Sequence, residues 1–206
     1  MAGGARASSS SARREVAFRR ATEADAYELA RRMFLSGERV DMQALATELG
    51  ISRATLHRWV QTREALLDRV LGDLADEYFT RARRAATGAP DDVIVAVAEG
   101  VARATIASGA ISGFVRREPE LALRLMLRDD ASVRRVLVGR LRGVLQDVLP
   151  DEAEGLEGFA AATVQLGLLL VWPTLVAGDE PSGERVAEIC RALLAGARAG
   201  ELSGGR

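Results

Sequence analysis

The chain has a single histidine, His57, inside the run "ISRATLHRWV" from Ile51 to Val60, beside Arg53, Arg58 and one of its two tryptophans, Trp59. An imidazole in that company could act as a general base, bind a metal, fill a core or read another molecule. Hydrolytic chemistry needs a nucleophile with a paired acid nearby, and none is indicated around His57. A zinc site needs three or four nitrogen or sulfur ligands, whereas His57 and the lone Cys190 are the only residues of those types. The sequence thus points to no catalytic residue, no metal and no cofactor. What remains is a surface residue without a ligand or a recognition element.

The elements that would position this run read as helices. Apolar residues recur at spacings of three and four, and no window alternates as a half-buried strand would, so the fold class is all-α. Thr22 can cap a first helix burying Leu29, Ala30, Met33 and Phe34, and Gly37 ends it. Asp41 caps a short second helix with Leu45, Ala46 and Leu49 on its inner face. Gly50 and Ser52 then form a tight link, one taking a left-handed conformation and the other capping the helix that carries His57. Thr62 caps a long fourth helix striped by Leu67, Val70, Leu71, Leu74 and Tyr78, and Gly88 with Pro90 end it. Further helices are expected at 91–107, 111–117, 119–128, 132–149, 154–177 and 182–199, with Pro173 kinking or shortening the second last.

Charge is distributed unevenly. Net charge is -1, yet residues 1–86 carry 15 Arg against 12 acidic residues, while residues 87–206 carry 13 against 17. The half containing His57 is the basic half. The Ala, Gly and Ser-rich start has no signal-like apolar run, and the unpaired cysteine fits a reducing compartment, so a cytoplasmic protein is expected. The longest apolar stretch, 159–177, lacks flanking basic residues and is interrupted by Thr163, Gln165 and Pro173; it reads as a buried helix with no membrane partner.

On the helix with His57, Leu56 and Val60 share one face and can dock on the core, leaving Arg53, His57 and, more obliquely, Thr55, Arg58 and Trp59 elsewhere. Two short helices joined by a glycine turn, the second exposing Arg, Thr and His, form a helix-turn-helix, whose second helix enters the DNA major groove. The run "VDMQALATELGISRATLHRWVQTREALLDRVL", 40–71, resembles that of the TetR family of bacterial transcriptional regulators, in Ala46, Gly50, Thr55-Leu56-His57 and Arg63 before "EALL". The run "REPELALRLMLR", 117–128, resembles the C-terminal domain of the QsdR-like members.

The resemblance implies double-stranded DNA as partner. Gln43 would read a base; Arg53, Ala54 and Thr55 open the reading helix, with Arg53 facing a guanine. Ser52 and the free N–H groups behind it suit a phosphate, His57 stands where a phosphate-bonding Tyr is usual, and Trp59 and Arg63 stand at phosphate positions, with plain core the competing reading of Trp59. Arg58 is also a candidate contact, although a solvated role competes with it. It further implies a homodimer on a palindromic operator and a small-molecule effector. Domains are expected at 18–66 for DNA binding and 67–200 for effector binding and dimerisation, with tails at 1–17 and 201–206.

The apolar helix near 159–177 needs both faces covered, one by its own domain and one by a partner subunit. With the last helix it would form a four-helix interface through Val164, Leu168, Val186, Ile189 and Leu193. A ligand pocket beside the fourth helix is assigned to Phe114, Met126, Leu169 and Trp172, with Gln165 orienting the ligand; plain core is the competing reading. An all-α enzyme is disfavoured by the absence of a phosphate loop, serine elbow or Glu-x-x-His pair. An interaction module or ligand-binding protein without sequence-specific DNA binding remains the alternative to a repressor.

Overall fold

The computed structural model describes residues 21–199; the tails expected at 1–17 and 201–206 lie outside them. The described residues form ten helices and no strand: α1 (Glu23–Leu35), α2 (Met42–Glu48), α3 (Arg53–Val60), α4 (Arg63–Ala85), α5 (Pro90–Ile106), α6 (Gly109–Arg117), α7 (Pro119–Leu127), α8 (Ser132–Val148), α9 (Glu157–Ala177) and α10 (Gly183–Arg198). The chain is all-α, as its periodicity predicts.

Local chemistry sets the boundaries of the first four helices. Thr22 and Asp25 close a reciprocal capping box on α1. Asp41 accepts from the backbone N–H groups of Gln43 and Ala44, both at 2.9 Å, to start α2. Those bonds, that of Ala44 foremost, hold its carboxyl below the usual aspartate range. Gly50 turns between α2 and α3 at φ 64°, a conformation that costs other residues more. Ser52 and Thr62 each accept from a backbone N–H three residues on, starting α3 and α4.

Helix α4, about 34 Å long at ~1.5 Å per residue, is the spine. It packs against α1 and α3 at its start and against α5 and α8 along its length, while α10 lies on α5 and α9, and α7 on α9. Contact with α8 is close at Gly72, where an added Cβ would stand 2.8 Å from the Ser132 Cβ. Alongside, Ser132 N–H donates to Asp68 at 3.1 Å and Arg140 to Asp76 at 2.8 Å. Phe34 of α1 and Phe114 of α6 meet as tilted rings 5.5 Å apart, within one apolar core that runs from α1 to α10.

Pro173, expected to kink or shorten α9, does not end it: the helix runs on to Ala177 and ends at Gly178, φ 82°. The turn around the proline keeps a polar bond, because the Thr174 hydroxyl donates to the Leu170 carbonyl at 2.6 Å. By length and hydropathy α9 could cross a membrane. Here its Phe159, Ala160, Val164, Leu168, Val171 and Trp172 are buried among neighbouring helices, while Leu166 and Leu169 are 37% and 44% exposed.

Candidate nucleic-acid interface and ligand cavity

Leu56 and Val60 are buried and seat α3 on the core. Arg53, Ala54, His57 and Arg58 are exposed, and neither Arg53 nor Arg58 bonds another of the described residues. Two unpaired guanidiniums on a rigidly docked helix can donate to phosphate or base edges without first breaking an internal bond. Gln43 is exposed on α2. Ser52 is engaged locally, its hydroxyl accepting from Thr55 N–H at 3.1 Å and lying 2.9 Å from the Thr55 hydroxyl. Trp59 is half-buried against the core.

His57 has a structural task. Its Nδ1 lies 2.8 Å from the Gln61 carbonyl, an arrangement that requires the proton on Nδ1, and it ties down the end of α3. Gln61 is the described non-glycine residue with positive φ, 59°. The ring thus braces a strained two-residue link between α3 and α4 and leaves Nε2 toward solvent. The sequence gives no sign of this, because Gln is not a residue type that announces a left-handed turn.

Arg63, expected against a phosphate, is engaged within the chain. Its guanidinium donates in parallel to both Glu118 oxygens, at 2.8 and 2.6 Å, and its Nε to the Val40 carbonyl. The two side chains are 19% and 17% exposed. The Arg63 hydrogen bonds hold the Glu118 carboxyl below the usual glutamate range. Glu118 sits at the joint between α6 and α7, so this pair fastens the start of α4 to the C-terminal helices; Arg124 to Glu64, at 2.8 Å, is a second fastening. The reason is geometric: α4 begins where α6 and α7 meet, and an Arg there finds a carboxylate within the chain.

A cavity of about 80 Å³ lies between α4, α5, α8, α9 and α10. Its walls include Leu74, Tyr78 and Phe79 of α4, Val101 and Thr105 of α5, and Leu137 of α8. Thr163, Val164, Leu168 and Trp172 of α9 and Val186 of α10 complete it. Of the residues assigned to a pocket from sequence, only Trp172 lines it. Phe114 and Met126 are fully buried, Phe114 as the partner of Phe34, whereas Leu169 points outward and Gln165 is half-buried away from the walls. Val164, Leu168 and Val186, expected between subunits, line the cavity; Ile189 and Leu193 are half-buried on α10. Thr163 and Tyr78 were missed as wall residues. Among the described residues no acidic, Cys and His cluster could hold a metal ion.

Residues 89–195 match the model of the tetracyclin repressor-like C-terminal domain. Among solved structures, the R. erythropolis transcriptional repressor QsdR of the TetR family is similar at a TM-score of 0.77 and 24% identity, over 84% of this chain and 94% of that one. The TetR family repressor AlkX from Dietzia sp. strain DQ12-45-1b, implicated in biodegradation of n-alkanes, is similar at 0.62 and 16% identity, over 87% and 96%. No curated protein matches the chain. The structural likenesses support the fold, and the family match covers more than half of the sequence: this chain belongs to the TetR family of transcriptional regulators.

Proposed function

We propose that the protein is a repressor that binds a palindromic operator as a homodimer and leaves it when a small molecule fills the cavity. The observation that carries this reading is the free cationic face of α3, with Arg53 and Arg58 unpaired above a helix locked by Leu56 and Val60. Gln43, Arg53, Ala54 and Thr55 would meet bases, and Arg58 and the free edge of His57 the backbone. Residues 18–66 then act as the reading unit and 67–200 as the sensing and dimerising unit, in the cytoplasm where the DNA is.

Two copies would meet through α9 and α10, covering Leu166, Leu169, Ile189 and Leu193, a partly exposed apolar face that a monomer leaves wet. Release follows from volume. The cavity is about half the ~150 Å³ that accommodates benzene, so a ligand filling it presses on its walls. Helix α4 is one of those walls, and only Gln61 and Thr62 separate it from α3. A ligand that binds the expanded arrangement more tightly shifts the population toward a spacing of reading heads that no longer fits the operator.

Capture of genomic fragments, followed by gel shift of the retained sequence at two salt concentrations, tests the reading. Specific binding that falls steeply with salt and a two-fold symmetric footprint are expected. Binding without sequence preference would leave an interaction module as the better description.

A further inference from the structure

We propose that the cavity takes an uncharged, compact, apolar molecule carrying one oxygen function, and that Thr163 Oγ1 is the group that bonds it. This rests on the reading of the cavity as the effector site. No Asp, Glu, Arg or His belongs to the walls. An ion entering there would give up its hydration and find no counter-charge, a cost that apolar contact does not recover.

The wall residues with polar side chains are Tyr78, Thr105 and Thr163. Thr105 already donates to the Val101 carbonyl at 2.9 Å. Thr163 is 4% exposed, and its buried hydroxyl has no hydrogen-bond partner but the Cys190 thiol of α10, a weak substitute for the bonds that buried polar groups in folded proteins make. Burial pushes that thiol up to about 12, so it stays protonated and is a weak partner. A ligand that presses the walls apart uncovers the Thr163 hydroxyl, which then offers it a donor and an acceptor. A ligand carbonyl or hydroxyl satisfies Thr163 while its hydrocarbon body meets Leu74, Val101, Leu137 and Leu168.

Trp172 provides the readout, since it lines the cavity and is 3% exposed. With Trp59→Phe it becomes the sole tryptophan, and its emission can be titrated with cyclopentanone, cyclopentane, cyclopentanecarboxylate and cyclopentylammonium. Cyclopentanone is expected to bind about tenfold more tightly than cyclopentane, the gain of one hydrogen bond to an otherwise unpaired group, and both ions not to bind. Thr163→Val, nearly the same shape, should bring cyclopentanone down to the affinity of cyclopentane and leave cyclopentane unchanged, while Thr163→Ser keeps the preference. An ion binding as tightly as the ketone, or a ketone preference that survives Thr163→Val, overturns the ligand class alone and leaves the effector cavity standing. If none of the four perturbs Trp172, the effector reading of the cavity falls together with the class.

Discussion

On α3 one face holds Leu56 and Val60 in the core and the other carries Arg53, His57 and Arg58 into solvent, whereas α9 is apolar around its whole circumference and meets a cavity on one side and open surface on the other. The first arrangement suits a reader of charge: Arg53 and Arg58 have no partner among the described residues, and the helix beneath them is fixed by caps and two buried anchors. The second suits a sensor, since imperfect packing leaves space, and space is what a ligand can exploit. Between them lies α4, which shares the core with both and is fastened to α6 and α7 through Arg63 and Glu118.

The most disruptive test of this division places charge on the exposed side of α9. Leu166→Glu with Leu169→Glu should give a monomer by sedimentation, because two carboxylates cannot be buried unpaired between copies. Operator affinity should fall more than about a hundredfold, as one short helix reads only a few base pairs. The cavity side should be untouched, so Trp172 emission should stay as in the parent. A dimer that survives would mean that the exposed face of α9 is idle.

Next in size is the fastening. Glu118→Gln should destabilise the fold by about 2 kcal/mol in chemical unfolding, the usual loss for a charged, partly buried hydrogen-bonded pair. Because the folded carboxyl is held below its ordinary range, its stabilising effect is present above the unfolded glutamate pKa and disappears as pH falls through the folded value. The parent and the variant should therefore converge in stability as the pH drops below the ordinary glutamate range. DNA affinity separates two roles for Arg63. If Glu118 merely withholds it from a phosphate, Glu118→Gln tightens binding and Arg63→Ala weakens it; if the pair only joins the helices, both variants change affinity in the same direction.

The smallest effect is expected at the link after α3. Gln61→Gly should raise stability by up to about 1 kcal/mol, because glycine adopts a positive φ without strain, and His57→Ala should lower it modestly by freeing the Gln61 carbonyl. Thermal unfolding of both variants checks this, and a destabilised Gln61→Gly would show that the link is not strained.

The two helices were not equally legible in the sequence. Helix α3 has one apolar face, so the positions of Leu56 and Val60 fix which way Arg53 and His57 point. Helix α9 has no polar face to set its phase. From Trp172, a wheel of roughly 100° per residue puts Gln165 and Leu169 within about 60° on one side and Leu168 and Val164 within about 80° on the other. Nothing in the residue types says which side is the cavity. The chain turns the second way, with Trp172 reaching in from the edge of the cavity face, so that Val164 and Leu168 line the cavity and Leu169 faces outward. Thr163 was the available signal, a hydroxyl in an apolar stretch, but Gln165 is the more polar residue and drew the assignment. Glu118 was out of reach for another reason, since its bond to Arg63 spans 55 positions.

The central claim is that α3 reads DNA through Arg53. It is tested most directly by measuring the affinity of the parent and of Arg53→Ala for the captured operator and for a scrambled duplex, across a range of salt. The account predicts that the parent prefers the operator strongly, and that Arg53→Ala loses about ten- to a hundredfold on the operator while changing little on the scrambled duplex. Equal losses on both duplexes, or no loss on either, would contradict it.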